Sequence, residues 1–514
     1  LPGSTTAVPG TGKDFADYLL GLPQQTTLQS GTSSYEFRAN SYDLFAQNDW
    51  RILPNLSLNL GLRYEYIGPY TETQNQIANL DVSFSPSLTN AFQVLPGQTG
   101  PYSGVFPGSL VRPDHTAFAP RIGIAWRVGN KTVVRTGYGI NYNLSQYGTF
   151  VHNFAFQPPF AEAQTNVSEL GNILTLENGF PAIPESTVTN NYALDPNYKL
   201  GYVQIWNLDI QRQLPWNIQL NVGYNGAKGT HLDTERALIP SCASISCITT
   251  PTQAIAPFIF ESSDSNSILE AASVRIRKRM SRGLGISASY VFSKSLDDAT
   301  SIGAEGPVIV AQNPFDIPAE RSLSSFDQTH KFTGTWMYDL PFGDGKRFLT
   351  RGPLSHVMDG WQWSGDFTIA SGLYFTPNVL GATLDIQRGV TGSLRANLVP
   401  GQSIGISNRT TKQWFNTAAF CPPGPGCTGT AGGAYGDAGR YIIEGPAQFT
   451  FDMAMSKTIA LKESRALELR LQATNIFNTP YFSSINTTVN SIVFGQVTGV
   501  ANMRRLTMVA RFRF

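Results

Sequence analysis

Residues 505–514 alternate strictly. Leu506, Met508, Ala510, Phe512 and Phe514 are apolar, while Arg505, Thr507, Arg511 and Arg513 between them are polar, with Val509 the exception. A period of two puts the two sets on opposite faces of a β-strand, so this stretch predicts a strand with one apolar and one wet face. Arginines on the wet face need water or acidic partners and do not suit a packed core. The period recurs upstream, where Leu56, Leu58, Leu60, Leu62, Tyr64 and Tyr66 alternate with Ser57, Asn59, Gly61, Arg63 and Glu65. At about 3.3 Å per residue such a strand is long enough to cross a bilayer at a tilt.

Further strands are expected as hairpins. They pair about 42–51 with 56–66, about 118–127 with 132–142, and about 201–213 with 217–226. The later pairs are about 266–279 with 283–293, about 327–340 with 360–371, and about 449–459 with 466–477. With the terminal strand the count reaches about thirteen. The links alternate short and long along the chain. Short turns on one side and long loops on the other are the organisation of an outer-membrane barrel, and a soluble sandwich or barrel has no reason to keep that asymmetry. On this pattern the first and last strands run in the same direction. That gives an odd total where single-chain bacterial barrels have even ones, so further strands are expected before Leu1. The expected division is an extracellular loop segment over 1–40, with a short helix at 15–22, and the C-terminal portion of an all-β, antiparallel transmembrane β-barrel over 41–514.

Composition agrees with strands that cross a membrane. Charged residues are 14% of the 514, against about 25% in soluble globular chains. No stretch approaches the ~18 apolar residues of a membrane-spanning helix, so any membrane contact falls to strands. The net charge of +1 excludes the large basic field of a nucleic-acid binder. The four cysteines form two close pairs, Cys242/Cys247 and Cys421/Cys427, in Gly/Pro/Ser/Thr-rich stretches. Two local disulfides of an oxidising compartment are the favoured reading. A shared four-thiolate zinc site and free thiols are the alternatives.

Several stretches resemble one family. Ser41-Tyr-Asp-Leu-Phe-Ala-Gln-Asn-Asp-Trp-Arg51, followed by Asn55-Leu-Ser-Leu-Asn-Leu-Gly-Leu-Arg-Tyr-Glu-Tyr66, resembles the barrel of TonB-dependent outer-membrane receptors, in the Oar-like branch. So do Ala119-Pro-Arg-Ile-Gly-Ile-Ala-Trp126, Ser293-Lys-Ser-Leu-Asp-Asp298, Asn313-Pro-Phe-Asp316 with Ala319-Glu-Arg321, Trp414-Phe-Asn-Thr-Ala-Ala-Phe420 and Asn475-Ile-Phe-Asn478. The resemblance implies a barrel of about 22 strands, with a plug and a TonB-contacting segment that are not expected within these 514 residues. It implies uptake of a scarce solute using inner-membrane energy, and location in the bacterial outer membrane. The implied partners are outer-membrane lipid, the TonB complex, the barrel assembly machinery and an unknown solute or peptide ligand, with no nucleic acid and no cofactor. The alternative is a plug-less porin or adhesin-like barrel.

Enzyme chemistry has little to stand on. Gly401-Gln-Ser-Ile-Gly405 fits a nucleophile pattern, but that motif needs a buried strand before it and a helix after it, and here it lies in a polar stretch. The five histidines (His115, His152, His231, His330 and His356) are scattered. Asp297 and Asp298 adjoin without the pattern of a calcium loop. Arg63, Arg135, Arg275, Arg277, Arg505 and Arg511 are expected on the lumen side, paired with carboxylates or lining a path for an anionic solute. The terminal strand, with Leu506, Met508, Ala510, Phe512 and Phe514 outward, is expected to close the barrel.

Overall fold

The computed structural model describes residues 14–31, 34–83, 90–168, 173–180, 190–238, 257–298, 311–343, 345–382, 384–385, 388–390, 392–424, 427, 435–461, 465–501 and 503–514. Among these, thirteen strands follow one another in a single antiparallel path. They are β1 (Ser41–Leu53), β2 (Leu56–Ile67), β3 (Phe118–Val128), β4 (Thr132–Tyr142), β5 (Tyr202–Leu214), β6 (Ile218–Leu238) and β7 (Phe258–Ser281). The path continues through β8 (Leu284–Asp297), β9 (His330–Asp339), β10 (Trp361–Ala370), β11 (Gln448–Ala460), β12 (Ala466–Thr474) and β13 (Arg505–Arg513). Each strand pairs with the next, so the sheet is an up-and-down meander. Among the described residues it is open, with β1 and β13 at its edges. The terminal strand therefore does not close a barrel here: Leu506, Met508, Ala510 and Phe512 stand opposite Ala473, Leu471, Leu469 and Leu467 of β12 alone.

The registers explain why these segments pair. Opposed residues can be followed from strand to strand along Leu53, Leu56, Trp126, Val134, Ile210, Val222, Val274, Tyr290, Phe332, Ile369 and Phe449. Every member of that row is apolar. On the opposite face a second row runs Gln213, Gln219, Arg277, Ser287, Thr335, Asp366 and Asp452, and every member is polar. A one-residue slip at any pair would move that strand's apolar set onto the polar face, so the alternation fixes the register. Trp126, Ile210, Val222, Val274, Tyr290, Phe332 and Ile369 are all exposed. An apolar wall of this extent belongs against hydrocarbon.

Aromatic residues mark the two ends of that wall, as at membrane interfaces. On the long-loop side the ring pairs are Tyr42–Tyr66, Tyr64–Phe118 and Tyr142–Tyr202, with centroids 6.0, 4.8 and 5.3 Å apart. On the short-turn side Trp336 and Trp363 meet edge to face at 5.4 Å. Three rings lie where the neighbouring strand has glycine: Trp206 over Gly226, Trp336 over Gly365 and Phe367 over Gly334. Only a residue without a Cβ leaves room for a ring laid flat across the strand.

The structure corrects the sequence reading in three places. β6 and β7 run well past the expected ends at 226 and 266, so that Phe258–Leu238 pairing continues beyond the apolar wall. The link between β9 and β10, residues 340–360, is long although it lies on the short-turn side, and it carries the helix Pro353–Met358. Finally, the described parts of the polar stretches between hairpins are folded rather than irregular. Within 1–40 the expected short helix is present (Asp14–Leu20), and beside it an unexpected strand (Gln25–Gly31) pairs with Ala161–Val167 in the β4–β5 link.

Candidate functional site

The long links gather into two folded caps at one end of the sheet. In the first, the β2–β3 and β4–β5 links meet the tops of β6 and β7. The helix Tyr147–Ala155 buries Tyr147, Phe150, Phe154 and Ala155, positions that share one helical face. They join Ile77, Phe106, Leu110, Leu194, Tyr198 and Leu200 in a compact core. Side-chain amides replace missing backbone partners. Asn79 Nδ2 donates to the Leu194 carbonyl at 2.9 Å while its Oδ1 accepts from the Leu194 amide at 2.9 Å. Buried links of this kind satisfy loop backbone that no sheet pairs.

Beneath that core lies a group of carboxylates, outside the membrane-spanning part of the strands. Glu235 and Glu261 are direct cross-strand partners on β6 and β7, and Asp233 sits two residues before Glu235. Tyr192 donates to Glu261 Oε2 at 2.6 Å. Tyr198 and Gln146 donate to Asp233. Residues Tyr192–Leu194 run parallel to Ile259–Glu261 and so complete the edge of β7 above the point where β8 ends. Burial pushes the Glu261 carboxyl up to about 7, against the opposing hydrogen bond from Tyr192, and the charges of Asp233 and Glu235 raise it further. Burial raises Asp233 as well, and burial together with Asp233 raises Glu235. Burial and the neighbouring Asp233 raise the Tyr198 hydroxyl in turn.

The second cap is built from the β8–β9, β10–β11 and β12–β13 links around Ala396, Phe415, Phe420, Ile443 and Ile485. Three buried arginines lock it. Arg440 pairs with Asp297 at the top of β8 (2.6 Å) and donates from Nε to the Glu320 carbonyl (2.8 Å). Arg395 pairs with the Glu320 carboxylate (2.6 Å) and donates to the Ala438 carbonyl (2.7 Å). Arg388 pairs with Asp385 (2.7 Å) and reaches the Gln312 carbonyl (2.9 Å). A guanidinium fork matched to carboxylate and carbonyl oxygens offsets the cost of burying these charges. The caps touch where Phe315 packs near Leu238 and Phe258, and where the Ala311 amide donates to the Glu235 carbonyl at 3.1 Å.

The residues singled out from sequence fall variously. Cys421 and Cys427 are joined in a disulfide in the second cap, with Cα atoms 5.8 Å apart. Cys242 and Cys247 lie outside the described residues. Asp297 faces Arg440, and Asp298 faces Arg321 at 3.7 Å, so both meet guanidinium groups. Arg63 pairs with Glu65 at 2.7 Å, and Arg135 donates to Gln211 at 3.1 Å. Ser403 lies in an exposed turn, its hydroxyl 3.4 Å from the Gly405 carbonyl, without the strand and helix of a nucleophile elbow. His115 stacks on Tyr66 and His330 lies beside Tyr290 and Phe292, so these two sit on separate parts of the sheet. Phe514 is 96% exposed. Sequence reading missed Arg388, Arg395 and Arg440, because a charged residue in a polar loop looks the same whether solvated or buried. The one signal is the stretch Ala319-Glu-Arg321, whose Glu320 carboxylate lies 2.6 Å from Arg395 and 3.6 Å from Arg440.

An antiparallel meander with an apolar belt, a polar inner face, aromatic borders and caps at one end defines a transmembrane β-barrel protein. A family model described as an outer membrane beta barrel domain matches residues 2–507, and the chain belongs to that family. Its place is the bacterial outer membrane. No curated protein matches. Among solved structures the chain is similar to the outer membrane transporter YddB from Escherichia coli (TM-score 0.46, 10% identity, covering 93% of this chain and 55% of that one). It is also similar to the pyoverdine outer membrane receptor FpvA from Pseudomonas aeruginosa PAO1 bound to pyoverdine (TM-score 0.44, 9% identity, 94% and 44%). A third is the siderophore receptor PiuA from Acinetobacter baumannii (TM-score 0.43, 9% identity, 93% and 43%). The chain thus spans 43% to 55% of the length of these three.

Proposed function

We propose that this chain forms part of a TonB-dependent outer-membrane receptor of the Oar-like branch, which binds a scarce solute or peptide at its outer face and imports it with inner-membrane energy. Residues 41–514 supply wall, lumen face and caps, and 1–40 an extracellular segment. The observation that carries the reading is the pair of caps. Each has a packed core, and buried Arg440 staples the second one to the wall at Asp297. A pore for general diffusion needs an open mouth, whereas selective capture needs surfaces held in one shape before the ligand arrives. The strand directions favour a larger barrel. β1 and β13 run the same way, so antiparallel closure into an even barrel takes an odd number of further strands, and about 22 in all suits the plugged class. The polar row from Gln213 to Asp452 then faces the lumen.

The test is uptake by cells that make the complete gene product, with the TonB system deleted or the proton gradient collapsed. Uptake that stops while surface binding persists is expected. Uptake that continues unchanged would mean a passive, plug-less barrel and would end the energy-coupling reading.

A further inference from the structure

The β9–β10 link breaks the rule that the other short-turn links obey, and its chemistry gives a reason. We propose that residues 345–360 form an amphipathic foot that lies in the periplasmic leaflet and binds anionic phospholipid headgroups. The inference rests on the membrane placement of the barrel and not on the solute it carries.

Position comes first. Trp361, at the start of β10, shares a face with Trp363 and the lipid-facing Ile369, by the alternation of the strand. Lys457 stands directly opposite Trp361 on β11. Trp361 Nε1 donates to the Val357 carbonyl at 3.0 Å. Lys457 Nζ donates to the carbonyls of His356 (3.3 Å) and Val357 and lies 5.5 Å from the Trp361 ring centroid. Two outward-facing side chains therefore hold the C-terminal end of the helix Pro353–Met358. The link is folded outward against the rim of the wall, not beneath the lumen.

Chemistry comes second. The foot presents apolar side chains to the outside: Leu354 is 64% exposed and Val357 59%, with Phe348 and Leu349 also exposed. Lys346, Arg347 and Arg351 accompany them, all exposed. Apolar groups and cations presented together, continuous with a tryptophan border, are the composition of an interfacial segment. The apolar side chains enter the acyl boundary while the cations meet phosphates. A water-facing turn would gain nothing from four exposed apolar residues. The surface is continuous with the lipid-facing wall, which makes a phospholipid leaflet the occupant rather than a soluble protein.

The test compares amide exchange across 345–358 for the protein in nanodiscs of phosphatidylglycerol and of phosphatidylcholine. At least tenfold slower exchange in the anionic discs is expected, with the difference lost at high salt and in the triple variant Lys346→Glu, Arg347→Glu, Arg351→Glu. Heat-modifiable gel mobility confirms that the variant is folded. Equal exchange in both lipids would overturn the proposal. A photo-crosslinker replacing Leu354 gives a second readout in cells: capture of lipid supports the foot, and capture of a periplasmic protein would overturn it.

Discussion

At the scale of single residues, the charges that matter most are the buried ones in the caps. Glu261 holds its proton more tightly when folded than when unfolded, because burial and the carboxylates of Glu235 and Asp233 disfavour its charged form. Its contribution is therefore complete below the ordinary carboxylate range and declines as pH rises toward 7. The difference is on the order of 3 kcal/mol. Protection of the Tyr192–Leu194 amides in hydrogen exchange should be greater at pH 5 than at pH 8, and Glu261→Gln should flatten that dependence. Arg440 makes the opposite case, a permanent charge matched to two acidic residues. Arg440→Ala would strand the Asp297 carboxylate in a buried place and take the donor from the Glu320 carbonyl, while Glu320's own carboxylate keeps Arg395, at a cost of about 3–5 kcal/mol. The expected outcome is rapid protease cleavage between 372 and 446 in a barrel that still shows folded gel mobility. Cleavage no faster than in the unaltered protein would show that the lock is redundant.

At the scale of elements, the spanning strands obey lipid and the extensions above them obey loops. Val222 sits at the centre of the apolar row, between Ile210 and Val274, so Val222→Arg should cost about 2–4 kcal/mol in urea unfolding from bilayers. Thr333→Arg, on the polar face, should cost much less. The same two-sided constraint is why these strands can be read from sequence: each must alternate, as Leu56 to Tyr66 does, so the period survives without any knowledge of neighbours. Above the membrane the constraint ends. Beyond Gly226 the chain reads Ala-Lys-Gly-Thr-His, with no alternation, and β6 continues because β7 pairs alongside it, with Tyr192–Leu194 on the other edge of β7. The arginine lock was hidden for the same reason, since Glu320 and Arg440 are 120 residues apart and only the folded cap brings them together. The β9–β10 foot falls between the expected strand bounds of about 340 and 360, and the period of two carries no sign that it folds against Trp361 and Lys457.

At the scale of the whole molecule, wall and caps are stabilised by different solvents. Lipid selects the outward face of the sheet, and water drives the burial of Phe150, Tyr198, Phe415 and Phe420 in the cap cores. Uptake that depends on the proton gradient would join the two in one transport cycle, and lipid-dependent protection of residues 345–358 would show that the opposite rim is also tied to its surroundings. The two separate cores also bear on how such a protein diversifies. A cap that carries its own packed interior, and meets the wall at a few strand tops such as Asp297, is a cassette: its outer residues can vary, or the whole unit can be grafted onto another barrel, without disturbing the register of the strands below.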